Sequence, residues 1–177
     1  MKITTKTGDR GETGLFAGPR VSKADPLIDL MGEIDELQCF VGMAKHKEER
    51  KEKKEKRDDY VEILTRVQED LYRLMSIVGF NCKPPLSIKD IVEEDLLWLE
   101  SVMEDFKEEV GDLSQFVLPG RTLRGARLHV ARAVCRRVER RFVACEKVAH
   151  EWGLKYLNRL SDMLFVLAYA EEKCGNI

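Results

Sequence analysis

An all-α fold, a single bundle of about five antiparallel helices, is predicted by three features of the sequence. Apolar residues recur at alternating intervals of three and four in successive segments, which marks helices with one buried face. No segment alternates apolar and polar residues long enough to make a convincing long strand. The chain has 177 residues, 44% of them hydrophobic and 35% charged, which suits one soluble domain, 1–177, with a substantial core. Heptad-like spacing in consecutive segments favours neighbours that cross at shallow angles, as in a bundle.

The first helix follows Asp25-Pro26 and carries Leu27, Leu30, Ile34, Leu37, Val41 and Ala44 on its buried face. The second carries Tyr60, Leu64, Val67, Leu71, Leu74 and Val78. Ser87 is a plausible N-cap for the third, which turns Val92, Leu96, Leu99, Met103 and Phe106 inward. The fourth buries Leu128, Ala131, Cys135, Val138, Phe142 and Cys145. Its other side is cationic, because a spacing of four stacks Arg132, Arg136 and Arg140. The fifth, after Gly153, buries Leu157, Leu160, Leu164 and Leu167 and ends near Gly175.

Two segments stand outside this pattern. Residues 45–59 are almost all Lys, Glu, Arg and Asp with interleaved signs, as in a solvated helix extension or connector. The N-terminal run from Thr4 to Gly14 holds hydroxyls, Lys6 and the glycines Gly8, Gly11 and Gly14. Glycine lets backbone amides approach a polyphosphate, and lysine and hydroxyls can complete its shell. A flexible turn is the plain alternative, since no Gly-Lys-Ser/Thr follows and no helix starts at once.

Composition narrows the function classes. A formal net charge of -2 gives no general attraction to nucleic acid or to an anionic membrane. Cys39, Cys82, Cys135, Cys145 and Cys174 are odd in number and form no CxxC pair, so free thiols in a reducing compartment are expected. No apolar run spans a bilayer and the N-terminus lacks the core of a signal peptide, which points to the cytoplasm. Glu146 and His150 have the wrong spacing for a di-iron motif, and His46, His129 and His150 are too scattered for zinc. No nucleophilic triad can be assembled. An enzyme built this way should run a reaction that needs little proton transfer. Three stacked arginines on a packed support are tolerable when solvated, when paired with carboxylates, or when reserved for an anionic ligand.

Several local patterns converge on one family. Lys6-Thr7-Gly8-Asp9-Arg10-Gly11-Glu12-Thr13 resembles a TKTGDxGxT loop, and Gly32-Glu33-Ile34-Asp35-Glu36-Leu37 a GxxDEL helix. Phe116 to Gly120, the arginine helix and Leu157 to Phe165 follow in the same order. Over Lys2 to about Ala170 the chain resembles the PduO-type ATP:cob(I)alamin adenosyltransferases. Arg121 and Arg127 depart from the glycine and the small residue common in that family.

The resemblance implies a five-helix bundle of ferritin-like appearance without a di-iron site, assembled as a homotrimer with ATP between subunits. Residues 1–24 would form the ATP-binding loop and 25–177 the bundle. Cob(I)alamin or a related corrinoid would attack the 5'-carbon of ATP, forming adenosylcobalamin and expelling triphosphate. Thr5, Lys6, Thr7, Gly8, Asp9 and Lys23 would enclose the phosphates, with Mg2+ bridging their oxygens. Arg136, Asn158 and Glu139 would meet the nucleotide, Asp35 and Arg132 would pair across the subunit interface, and Phe116 would fill the lower face of the corrin ring. A reductase for Co(II) corrinoids and an adenosylcobalamin-dependent mutase are the implied partners. Read without the resemblance, Arg137, Arg140 and Arg141 are solvated or locally paired, and Asn158 and Asp162 cap or pair locally. Gly32, Asp35, Cys39 and Gly42 share one small or polar helix face, which suits a close partner. Two rival functions remain open at this point. One is a non-enzymatic bundle whose arginines bind an acidic partner or an RNA backbone, and the other is a phosphotransferase that releases ADP.

Overall fold

The computed structural model describes residues 4, 6–46, 59–111 and 118–174. A short antiparallel hairpin, β1 (Glu12–Gly14) and β2 (Arg20–Ser22), precedes α1 (Pro26–Ala44), α2 (Asp59–Gly79), α3 (Glu93–Val110), α4 (Leu123–Ala144) and α5 (Glu151–Cys174). The all-α expectation holds, with the hairpin as its only strand pair among the described residues. Of the charged run 45–59, residues 47–58 lie outside the described residues.

Helix α4 packs against both α1 and α5, α1 also against α2, and α5 also against α3. The predicted apolar faces of α1 and α4 are buried in full. One core cluster runs from Leu27 to Ala168 and joins all five helices. Each fully buried Leu in it contributes about 1.5–3 kcal/mol relative to exposure. Polar ties cross the same core. The Tyr156 hydroxyl donates to Asp70 at 3.0 Å, and that of Tyr60 donates to the Leu167 carbonyl at 3.2 Å.

Local chemistry sets where the helices start. Asp25 caps α1 by accepting from the Leu27 amide at 3.0 Å, with Pro26 in the first turn. The Lys147 ammonium, 2.6 Å away, and the Leu27 amide hold the Asp25 carboxyl below its ordinary range. Ser87 does not cap α3, which begins at Glu93. The stretch before it stays non-helical because Ile91 is a fully buried plug and the Asp90 carbonyl accepts from Arg73 at 3.0 Å. Asp95 then turns back to accept from the Val92 amide at 3.0 Å.

Nor does Gly153 mark the start of α5; it lies inside the first turn. Its amide donates to His150 Nδ1 at 2.9 Å. A Cβ there would stand 2.8 Å from Leu74 Cδ1 and 3.0 Å from Phe142 Cζ, so glycine lets α5 approach α2 and α4. Arg127 donates to the Met43 and His46 carbonyls at 3.2 and 3.0 Å and ties α4 to the end of α1. Cys39, Cys82, Cys135 and Cys145 are free thiols.

Candidate active site

Helices α3, α4 and α5 enclose a groove of about 730 Å³. Arg132 and Arg136 project into it from one face of α4, beside Arg159, Asp162 and Phe165 of α5 and Glu100, Glu104 and Lys107 of α3. The arginine stripe therefore divides. Arg140 is exposed and outside the groove lining. Arg137 is held by Glu33 and Glu36 of α1, whose hydrogen bonds raise the affinity of its guanidinium for its proton. Arg141 stands 3.6 Å from Asp29. The local pairing expected of Arg137 and Arg141 is thus observed. Arg136 makes no ion pair among the described residues, so its charge is available to a ligand.

Next to Arg132 lies His129, which is buried and has no hydrogen-bond partner at either ring nitrogen. Burial and the Arg132 charge push its pKa down, so the imidazole is neutral at ordinary pH. Arg132 Nε is also buried without a partner.

A polar chain leads away from the groove. Arg159 Nε donates to Glu100 at 2.8 Å and its Nη1 to Asn158 Oδ1 at 3.1 Å, and Asn158 Nδ2 donates to Glu139 at 3.1 Å. This brings together two of the expected site residues, Glu139 and Asn158, on two packed helices, while a third, Arg136, lines the groove beside Arg159. Asn158 does not pair with Asp162, which lines the groove instead. Sequence reasoning missed Arg159 and Phe165. Both fall in the Leu157 to Phe165 motif, but their shared groove appears only when α5 is set against α3.

The glycine loop occupies another place. Lys6 and Gly11 have φ of 58° and 80°, the Asp9 amide donates to the Lys6 carbonyl, and the Gly11 amide donates to that of Gly8. Lys23 lies over Gly8, where a Cβ would come within 3.1 Å of its Nζ. The hairpin is anchored by Phe16, which stacks on Phe80 at 5.3 Å and fills the space beside Gly79 at the end of α2. Thr7 and Asp9 are exposed. Among the described residues the groove takes nothing from this loop. Asp35 is exposed on α1 and makes no ion pair with Arg132 within the chain. Gly42 departs from the expected partner face, since a Cβ there would meet Gln68 of α2 at 2.9 Å. Thr5 and Phe116 lie outside the described residues.

A bundle whose groove gathers Lys107, Arg132, Arg136 and Arg159, with a glycine loop set apart from it, has the chemistry of a protein that binds an anionic ligand by charge and alignment. Residues 3–171 match the Cobalamin adenosyltransferase family, and the chain belongs to it. It is 39% identical to the corrinoid adenosyltransferase of Bacillus subtilis over 95% of this chain and 85% of that one. It is 34% identical to the corrinoid adenosyltransferase PduO of Citrobacter freundii, covering 97% of this chain but 50% of that longer protein. A solved structure of a phenylalanine-to-histidine variant of the PduO-type ATP:corrinoid adenosyltransferase from Lactobacillus reuteri, complexed with cobalamin and ATP, superimposes with a TM-score of 0.85 at 30% identity. That match covers 97% of this chain and 91% of the other. The chain is an enzyme that transfers the adenosyl group of ATP to a corrinoid. This removes the phosphotransferase and the non-enzymatic bundle.

Proposed function

We propose that the reaction takes place where two copies of the chain meet in a homotrimer, one copy's glycine loop closing on its neighbour's α3–α4–α5 groove. One observation carries this reading: the residues that resemble the nucleotide-contacting set are divided between the loop and the α4–α5 face, and the groove lining draws nothing from the loop. Asp35, exposed and without an ion pair among the described residues, fits as the partner across the interface for Arg132, whose Nε has none. Residues 1–24 act as the ATP-binding loop and 25–177 as the bundle of a single domain.

Thr5, Lys6, Thr7, Gly8, Asp9 and Lys23 enclose the triphosphate. Among the described residues no three His, Cys, Asp or Glu side chains converge on a possible metal site. Mg2+ would be held by the phosphates that this loop encloses and would offset their charge. Arg136 neutralises charge that grows on the leaving triphosphate, while Asn158 and Glu139 hold the nucleotide in line. Phe116 covers the lower face of the corrin. The Co(I) electron pair forms the cobalt–carbon bond as the C5'–O bond breaks, and triphosphate leaves with the bonding pair; cobalt is formally oxidised to Co(III). Co(I) is already a strong nucleophile and needs no base to activate it.

A Co(II) corrinoid reductase supplies this substrate, and an adenosylcobalamin-dependent mutase is a fitting acceptor for the product. No helix among the described residues is long and apolar enough to cross a membrane. Free thiols at Cys39 and Cys82 suit the cytoplasm, and Mg-dependent ATP binding without preference for nucleic acid is expected. The test is anaerobic incubation with ATP, Mg2+ and chemically reduced cobalamin. Adenosylcobalamin detected by its spectrum, with triphosphate as the co-product, is expected, and release of ADP without adenosylcobalamin would overturn the reading.

A further inference from the structure

We infer that Arg20 is a positioning residue for ATP, holding the glycine loop so that its backbone carbonyls are engaged by the protein while the amides of Gly8 and Arg10, which make no hydrogen bond among the described residues, remain for the triphosphate. The inference rests on the reading of that loop as the phosphate cradle. An anion-binding loop must offer N–H groups and keep its C=O groups away, because a carbonyl oxygen repels a phosphate oxygen. The carbonyls of Lys6, Gly8 and Gly11 meet this demand locally, accepting from the amides of Asp9, Gly11 and Lys23 at 3.4, 3.2 and 2.8 Å. Two more carbonyls between residues 6 and 12 are gripped by one side chain. Arg20 Nη2 donates to the Thr7 carbonyl at 2.7 Å and to the Glu12 carbonyl at 3.0 Å.

A single guanidinium nitrogen with two hydrogens thus closes both ends of the loop. The hairpin register brings it there, since Arg20 of β2 faces Gly14 of β1. Its Nε lies 3.7 Å from the Glu12 carboxylate, an exposed pair that adds little energy but orients the planar fork. The loop also has something to hold. Lys6 sits at φ 58°, in the left-handed region, where a residue other than glycine is strained by about 1 kcal/mol or more and stays only if its surroundings impose it. The neighbouring Thr7 carbonyl is the group that Arg20 grips. Without Arg20, the Thr7 and Glu12 carbonyls lose this shared donor at the edge of the cradle, and the hold on the segment beside Lys6 weakens.

The test measures initial rates of adenosylation in the full chain for the wild type, Arg20→Ala, Arg20→Lys and Lys23→Ala. For Arg20→Ala the KM for ATP should rise about five- to tenfold, the equivalent of losing one to two hydrogen bonds. Its kcat should stay within about twofold, and its KM for the corrinoid and thermal midpoint should not move. Arg20→Lys should recover part of the loss, because an ammonium donates but lacks the fork. An unchanged KM for ATP in Arg20→Ala overturns the inference. So does a joint fall of kcat, both KM values and the midpoint, which would make Arg20 a structural clamp for the hairpin. Full recovery by Arg20→Lys overturns the two-carbonyl grip in favour of simple charge. Failure of the underlying reading looks different: Lys23→Ala would then leave the KM for ATP at the wild-type value.

Discussion

Arg136 and Arg137 are adjacent in sequence and have different tasks, because one residue of helix turns the side chain by about 100°. Arg137 reaches Glu33 and Glu36 on α1, whereas Arg136 enters the groove. Arg136→Ala is therefore expected to lower kcat for adenosylation by about 10²-fold, the range for loss of one donor to a developing charge. Arg141, paired at the surface with Asp29, should tolerate alanine within about twofold. Equal losses in the two variants would mean that the helix acts through bulk charge. His129 gives a second expectation. Its pKa is lowered from 6.5 by burial and by Arg132, with Glu172 opposing, so the unfolded chain takes up the proton first as pH falls. The stability due to neutral His129 is complete above about pH 6.5 and is lost as pH falls from there toward the folded pKa. Thermal midpoints measured from pH 7.5 to 5 should fall less steeply in His129→Gln than in the wild type; parallel curves would count against this account. The helical spacing already set Arg132 beside His129, but Phe165 meets it only after α4 and α5 pack.

Helix α3 shows how an element boundary can be hidden from sequence. Ser87 has the right chemistry for a cap, yet the start is set further on by a buried carboxylate with partners on another helix. Asp95 accepts from the Val92 amide, from Arg73 of α2 at 2.9 Å, and lies 3.8 Å from Arg66. Arg73 also holds Asp70 at 2.6 Å. Asp95→Ala should destabilise the fold by about 3 kcal/mol, the lower end for breaking a buried pair, since Arg73 retains Asp70. Urea unfolding with an unchanged m value would check this, and a loss under about 1 kcal/mol would show that the Val92 cap is dispensable. Gly153 carries the same lesson. In sequence it reads as a helix boundary, but it is a contact surface for Leu74 and Phe142.

At the scale of the molecule, the proposed division of the site between the glycine loop and a neighbour's groove predicts that assembly and ATP binding are coupled. Asp35→Asn should weaken the proposed trimer and ATP affinity together. Loss of one partner from a pair desolvated on assembly costs about 3 to 5 kcal/mol. Sedimentation and ATP titration on the same samples would check it, and an unchanged trimer with unchanged affinity and turnover would count against a shared site.

The sequence by itself determined which residues are buried in α1, α4 and most of the other helices, because helical periodicity follows from backbone geometry and needs no partner. It also determined the family, through short motifs kept in order, and it marked the loop and Arg136, Glu139 and Asn158 as the candidates to test. Only the tertiary structure decided which arginine of the stripe is engaged and which is open, where α3 and α5 begin, and that Arg20 grips Thr7 and Glu12. These depend on contacts between residues far apart in the chain, such as Arg137 with Glu33 or Gly153 with Leu74. A local pattern specifies the face of an element, but not what another element brings to that face.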